Sequence, residues 1–375
     1  MLSQVGLIFL MFLIGLDFDF GHLRAHGRSA VLISVAGILL PFSLGLVVAP
    51  VLYPHVETGA NKLGFVLFVA AGLSITAIPV LGRILIEFNL NRTHLGSLTI
   101  TAAAIDDVCG WIILAVITAI VRSEFSPLRT LRMVSEAAVY GLFMIMIARP
   151  LLKKWTRRVM LKGEGEISLS ALTVLLLLVF LSAAVTNLIG IFSIFGGFIM
   201  GAILYDQQEC REAVFRRLKD FTTVFFLPIF FTYTGLRTDI GSMQGRRLWL
   251  LCGLVLFAAI MGKFGGSTTA ARLNGFSWRE SCSVGIMMNT RALMELIVIN
   301  IGYDLGIIPK SVFFMLVLMA VVTTFMTAPI LRRLIRTTEL EPVFELSPFM
   351  RQRRRRSKRS SDPKSQLEIA NGVRG

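Results

Sequence analysis

The chain has 375 residues and a formal net charge of +15, with 55% hydrophobic residues, only 16% charged residues and a mean hydropathy of +0.73. Soluble globular domains have roughly 45–50% apolar and about 25% charged residues, so this composition excludes a soluble enzyme and a disordered chain. The apolar residues form continuous blocks of about 20, the length that spans a bilayer core of ~30 Å, rather than the alternating pattern of a membrane β-barrel.

Eleven apolar spans follow one another along the chain. Spanning segments must be helical, because lipid offers no hydrogen-bond partners to the backbone. We therefore predict an all-α polytopic membrane protein, with a transmembrane domain over 1–336 and a basic, disordered cytoplasmic tail over 337–375. The spans are 1–16, 30–52, 64–86, 95–121, 133–152, 168–187, 190–205, 221–236, 247–271, 281–302 and 311–331.

The basic residues predict the orientation in the membrane. If the N-terminus is outside, 27 of the 38 Lys and Arg residues lie in the inner loops and tail, 8 in the outer loops and 3 within spans. The positive-inside rule then predicts that the tail is cytoplasmic and that the N-terminus is outside. The run Arg353–Arg356 follows a membrane helix directly, which favours attraction to membrane lipid over nucleic acid. No Cys or His spacing indicates a cofactor or a structural metal.

Three basic residues lie within spans. Arg149 is near the end of 133–152, where a long side chain can reach the headgroups. Lys263 and Arg291 are mid-span, where a charge costs at least ~2.5–3.5 kcal/mol and persists by pairing or by lining a wet cavity. The glycines of 261–266, MGKFGG, favour close helix packing, and Lys263 among them requires a buried anion.

Two adjacent carboxylates, Asp106 and Asp107, lie in the middle of the span 95–121. Neighbours on a helix point about 100° apart, so one can face a cavity while the other meets a basic partner, for which Lys263 is the candidate. A carboxylate in a low-dielectric site can bind a proton or a bare cation in turn, which is the chemistry of exchange. The alternative is a buried ion pair that only fixes helix packing.

Two spans are predicted to be broken. In 71–82, Pro79 removes a backbone hydrogen bond, and Ser74 and Thr76 can compensate the freed carbonyls. The alternative there is a simple proline kink.

The second break is predicted in 285–295, where Asn289 and Thr290 precede Arg291 and Glu295. Interrupted helices at the midplane offer helix dipoles and free carbonyls to ions. The alternative for this second break is a polar patch that only packs helices together.

Five motifs occur in one order, and together they carry a family resemblance. They resemble the monovalent cation:proton antiporter-2 family, the sodium/hydrogen or potassium/hydrogen exchangers of bacteria and their plant relatives. The motifs are SITAIPVLGRIL (74–85), AAAIDDVCGW (102–111), FFLPIFFTYTGLRTDI (225–240), GKFGGS (262–267) and NTRALMELIVINIGYDLGII (289–308).

The resemblance implies thirteen helices in two inverted six-helix repeats joined by a linker helix, of which the first two helices are expected to be missing here. It also implies a core domain with two crossed broken helices, a dimerisation domain, a homodimer and elevator-like alternating access. The transported ions are a proton and Na⁺ or K⁺.

By position, the resemblance makes Asp107 the carboxylate that binds the cation or proton and Asp106 the partner of Lys263. Thr76 belongs to the first broken helix, and Arg291 and Glu295 belong to the second. The adjacent aspartates resemble those of the electrogenic branch of the family.

The sequence is also compatible with two other functions. A gated potassium-efflux channel would need a selectivity filter, and the chain has no TVGYG-like carbonyl filter, which excludes only one channel type. An intramembrane aspartyl enzyme would need two carboxylates that converge on one water, usually from different helices.

Overall fold

A computed structural model describes residues 2–17, 27–56, 59–76, 78–90, 93–122, 126–163 and 166–335. The predicted tail over 337–375, including Arg353–Arg356, lies outside these residues. Within them the regular structure is fifteen α-helices, joined in places by short 3₁₀ or π turns. The helices are α1 Leu2–Asp17, α2 Gly27–Leu52, α3 Lys62–Ser74, α4 Ile78–Glu87, α5 His94–Arg122, α6 Pro127–Phe143, α7 Arg149–Lys162, α8 Leu169–Ile189, α9 Ser193–Ala202, α10 Gln208–Phe221, α11 Leu227–Arg237, α12 Gly245–Leu273, α13 Trp278–Met288, α14 Leu293–Asp304 and α15 Lys310–Ile335.

The helix lengths confirm an all-α polytopic membrane protein. Among the described residues, six helical segments are long and apolar enough to cross a bilayer alone, and the bent pair α13–α14 makes a seventh. The shorter helices α1, α3 and α9 are also strongly apolar. Each of the eleven predicted spans therefore coincides with one helix or with two consecutive helices.

The helices form two packed groups. The α1 group consists of α1, α8, α9 and α11, in which α1 and α9 make the most extensive contact. The α5 group consists of α2 to α5 and α12 to α15, in which α2 packs along α12. Helix α6 contacts both α5 and α8, so the α6–α7 segment connects the groups.

The predicted loop after residue 152 is wrong. Helix α6 continues through a π turn at Met144–Ala148 into α7, which ends at Lys162. The sequence predicts that Arg149 lies near a helix end. In the structure it lies where the π turn joins α7, inside a continuous helix. Its guanidinium lies 3.2 Å from the Asp206 carboxylate, so a partner residue compensates its charge.

A second predicted loop, between the spans 190–205 and 221–236, is also helical. Helix α10 is amphipathic: it buries Cys210, Ala213 and Val214 and exposes most of its charged residues. A π turn at Thr222–Phe226 continues it into α11. This amphipathic pattern indicates a helix, but the prediction of spans from hydropathy does not use it.

Glycines of α12 permit its close contact with α2. A Cβ on Gly266 would lie 2.4 Å from the Ala36 carbonyl oxygen, and one on Gly262 would lie 2.6 Å from Pro41 Cα. The neighbouring Gly265 is different, because its Cβ would meet only a Leu40 methyl at 3.7 Å. Close packing thus depends on two of the three glycines in this segment.

This difference gives a matched pair of substitutions. We expect Gly266→Ala to lower the melting temperature in detergent, because overpacking against rigid backbone typically costs about 1–3 kcal/mol. Gly265→Ala should leave it nearly unchanged. Thermal unfolding followed by tryptophan fluorescence tests this, and equal melting temperatures for the two variants would contradict the packing described for α2 and α12.

Candidate functional site

The two predicted helix interruptions lie side by side inside the α5 group. The first falls between Ser74, where α3 ends, and Ile78, where α4 begins. The second separates α13 from α14, which are bent by 43° relative to each other. The Thr76 hydroxyl donates a 3.1 Å hydrogen bond to the Met288 carbonyl and so joins the two breaks. The broken helices therefore meet at their interrupted ends.

Two buried cations bind the carbonyl groups at the end of α3. Arg291 donates to the Gly72 carbonyl at 2.7 Å and also to the Leu73 carbonyl. The Lys263 ammonium donates to the Ser74 carbonyl. A helix C-terminus carries partial negative charge, which these cations compensate. These three carbonyls of the first break therefore accept hydrogen bonds from buried side chains of the protein.

Asp106 is held by two donors and is completely buried. Lys263 Nζ lies 2.8 Å from Asp106 Oδ2, and neither side chain is exposed at all. The Thr76 backbone N–H donates to the same oxygen at 2.9 Å. The structure thus brings together the aspartate and the lysine that were paired on sequence grounds, and connects both to the first break.

Arg291 and Glu295 form a second buried pair across the start of α14. Their closest atoms are 3.2 Å apart, and at most 1% of either side chain is exposed. Thr324 of α15 holds the backbone here, because its hydroxyl accepts from the Arg291 N–H at 2.9 Å and donates to the Arg291 carbonyl. The end of α3 and Glu295 therefore hold the Arg291 guanidinium, and α15 holds the Arg291 backbone.

Asp107 is the buried carboxylate that has no such counter-ion. Only 3% of the residue is exposed, and its Oδ1 has no hydrogen-bond partner among the described residues. The site contains two cations, both engaged by other carboxylates. Among the described residues, three carboxylates at the site therefore face two cations, and neither cation forms an ion pair with Asp107.

Three further residues of the predicted site differ in what they contact. The Ser74 hydroxyl donates to the Ala71 carbonyl of its own helix at 2.9 Å. Asn289 is fully buried, and neither its Nδ2 nor its Oδ1 has a partner in the described part of the chain. Pro79 is the second residue of α4, where proline is tolerated, and its side chain lies outside the described residues.

Sequence reasoning missed two residues at this site. Thr324 was overlooked, although a threonine inside an apolar span is a usable signal because its hydroxyl needs a partner. Trp111, one helical turn after Asp107, is 3% exposed and packs edge-on against Phe195 of α9 with ring centroids 5.4 Å apart. The sequence gives no such signal for Trp111, because it does not show which aromatic ring the tryptophan contacts.

Comparison with known proteins finds consistent relatives. A family model described as "Sodium/hydrogen exchanger, transmembrane" matches residues 1–335. The Na⁺/H⁺ antiporter NhaS4 of Synechocystis sp. is 40% identical over 88% of this chain and 80% of its own length. The cation/H⁺ antiporter 17 of Arabidopsis thaliana is 38% identical over 88% of this chain, which spans only 40% of that protein.

A solved structure shares the fold. The sodium proton antiporter MjNhaP1 from Methanocaldococcus jannaschii superposes with a TM-score of 0.60 over 92% of this chain and 85% of its own. Because the two sequences are only 14% identical, this likeness concerns the arrangement of the helices alone.

The Lys263–Asp106 contact predicts a specific pattern of stability. Removing one partner of a buried ion pair strands the other charge, so Lys263→Ala should lower the free energy of unfolding by about 3–5 kcal/mol. Asp106→Asn combined with Lys263→Gln removes both charges but keeps an acceptor for the Thr76 N–H and a donor for the Ser74 carbonyl. This double variant should recover most of the loss, as measured by denaturation in detergent. A double variant as unstable as Lys263→Ala would contradict the pairing.

Proposed function

This chain belongs to the family of transmembrane sodium/hydrogen exchangers, and we propose that it exchanges protons for a monovalent cation, Na⁺ or K⁺, at Asp107. The observation that carries this proposal is the charge balance of the site. Two buried carboxylates have arginine or lysine partners, and Asp107 has neither.

A buried, ionised carboxylate without a counter-ion is strongly destabilised. Asp107 can avoid that state in two ways, by taking up a proton or by binding a cation. Each ion excludes the other, because either one neutralises the single negative charge. A site that always holds one of the two ions couples their movements, provided that it faces the two sides of the membrane alternately.

Polar atoms at the two helix breaks suit a partly dehydrated cation. The side-chain oxygen of Asn289 is buried without a partner. The Thr76 hydroxyl donates to the Met288 carbonyl, which leaves its own lone pairs free to accept or to coordinate. We assign Thr76 and Asn289 as candidate ligands that supplement the Asp107 carboxylate. Oxygen ligands of this kind are those that hard cations prefer.

Neither rival function has comparable support. A channel is not favoured, because the family and its named relatives are antiporters. An aspartyl enzyme requires two carboxylates free to hold one water, whereas Asp106 Oδ2 is engaged by Lys263 and by the Thr76 N–H. A transporter therefore accounts for the site better than either rival.

The protein is an integral membrane protein. We place it in the bacterial cell membrane, with its N-terminus outside, residues 1–336 as the exchanger domain and 337–375 as a cytoplasmic tail. The α6–α8 surface is rich in exposed apolar side chains, such as Leu142, Ile145 and Leu181. We assign this surface to lipid contact and to the interface of a homodimer.

The Asp107 assignment is tested by a substitution that cannot ionise. We expect Asp107→Asn to reduce ΔpH-driven exchange in proteoliposomes to the level of empty vesicles for Na⁺, K⁺ and Li⁺, because an amide carries no charge to be shared between the ions. The matched control is Asp239→Asn, the same change in a polar turn far from the site along the chain. Exchange by a correctly folded Asp107→Asn protein would refute the assignment.

The orientation is tested by cysteine labelling in a variant without the four native cysteines. Arg158 and Gln244 are both exposed, and the proposed topology places Arg158 in the cytoplasm and Gln244 outside. In intact cells, an impermeant maleimide should therefore label Gln244→Cys and should label Arg158→Cys only after the cells are opened. The reverse pattern would invert the proposed topology.

A further inference from the structure

Arg237, the last residue of α11, bridges the two helix groups. Its guanidinium lies 2.7 Å from the Asp304 carboxylate and donates to the Asn300 side-chain oxygen at 3.1 Å. Both partners belong to α14. The same guanidinium lies over the rings of Tyr233 and Tyr303, 3.9 and 5.1 Å from their centroids. One side chain of the α1 group thus makes four contacts, three of them with the α5 group.

A second hydrogen bond extends this bridge along the same two helices. The Asn300 side-chain amide donates to the Thr234 hydroxyl of α11 at 2.9 Å, and also to the Leu296 carbonyl of its own helix at 2.8 Å. Asn300 is therefore oriented by its own helix and satisfied by the other group. Separating α11 from α14 would break this bond together with those of Arg237.

A cavity of about 290 Å³ lies against this bridge. The α1 group and α14 both contribute to its walls. Its lining includes Gln4, Phe192, Ser193, Tyr233, Asn300 and Asp304.

An arginine of the α5 group also contacts the other group at this end of the bundle. Arg122, the last residue of α5, donates to the Gly190 carbonyl at 3.2 Å and lies 4.5 Å above the centre of the Phe192 ring. Phe192 lines the cavity beside Arg237. At this end, each group therefore contributes an arginine that contacts the other group.

A short series of contacts connects the wall of this cavity with the helix turn that carries Asp107. Phe195 follows the cavity-lining residues Ser193 and Ile194 in α9, and it meets Trp111, one turn from Asp107. Trp111 belongs to the α5 group and Phe195 to the α1 group. The contact between the groups thus continues from the Arg237 bridge to the neighbourhood of the site.

We propose that Arg237 is a reversible latch. It holds the two groups together at this cavity, and it releases Asp304 and Asn300 when Asp107 becomes accessible from this end of the bundle. The proposal rests on the proposed exchange function, for which it identifies the element that opens. With the proposed topology, this end faces the outside.

The exposure of the Arg237–Asp304 ion pair supports a latch over a permanent tie, although the Asn300–Thr234 hydrogen bond beside it is buried. The side chains of Arg237 and Asp304 are 18% and 43% exposed, so water can take over their interactions when they separate. Partly exposed ion pairs contribute little net stability and break readily. The fully buried Lys263–Asp106 pair has no such replacement, because breaking it would strand both charges. A moving part held by exposed pairs can therefore open while the buried pair stays intact.

The first test measures access to the cavity. Ser193→Cys, in the variant without native cysteines, is purified into lipid nanodiscs and labelled with a neutral impermeant maleimide. We expect Arg237→Gln to raise the labelling rate at least about threefold, because losing a weak ion pair shifts such an equilibrium by a few-fold. Arg246→Gln is the matched control: it removes an exposed positive charge at the start of α12 and should leave the rate unchanged. Arg237→Lys, which keeps the charge but not the two-pronged geometry, should give an intermediate rate.

The second test distinguishes a separation of the two groups from a local increase in the space around Ser193. Spin labels at Leu236 and Lys310 report the distance between the ends of α11 and α15 by pulsed electron resonance. Arg237→Gln should add a population at longer distances, and Asp304→Asn should do the same. If labelling accelerates while the distances stay unchanged, or if neither changes, Arg237 is a static tie and the proposal is wrong.

Both readouts are independent of transport. They can be repeated in the Asp107→Asn background, where the latch should still open on removal of Arg237. A failure of the Asp107 assignment would leave these results intact, and a failure of the latch would leave the loss of exchange in Asp107→Asn intact. The experiments therefore distinguish a failure of the latch from a failure of the Asp107 assignment.

Discussion

The cost of placing charge inside a membrane organises this structure. Lys263 and Arg291 lie fully buried, and each is compensated twice, by a carboxylate and by carbonyl groups at the end of α3. Because these cations satisfy the interrupted helix, the break needs no external ion to be stable. Asp107 has no such ion pair among the described residues, and for that reason we propose that it binds a proton or a cation.

The interruption of the helices and the pairing of the charges depend on each other. Thr76 joins them, since its N–H donates to Asp106 and its hydroxyl donates to the Met288 carbonyl of the other break. Thr324 anchors Arg291 from a third helix. A change at one of these positions therefore disturbs a network that spans six helices, α3, α5 and α12 to α15, which makes double variants more informative than single ones.

The strong and weak ion pairs are distributed differently in the molecule. The pairs at the breaks are buried and lie within the α5 group, which suits a part that keeps its internal structure. The Arg237–Asp304 pair is partly exposed and crosses between the groups. A rigid unit held by buried pairs and tied to its neighbour by exposed ones can move as a whole.

Lipid penalises polar residues so strongly that each exception is visible, so the amino-acid sequence predicts the membrane class, the spans, both helix breaks and the charged residues of the candidate site. It does not show that α6 continues through α7 or that 208–221 is helical, because hydropathy does not distinguish a polar helix from a loop. The partners of the buried charges follow from the packing of the helices. Lys263 and Arg291 could equally have faced either carboxylate at 106–107, and the carbonyls of Gly72 to Ser74 are invisible in a sequence because every residue has one. The Arg237 bridge also depends on tertiary structure, since 67 positions separate it from Asp304 and only packing brings them within 2.7 Å.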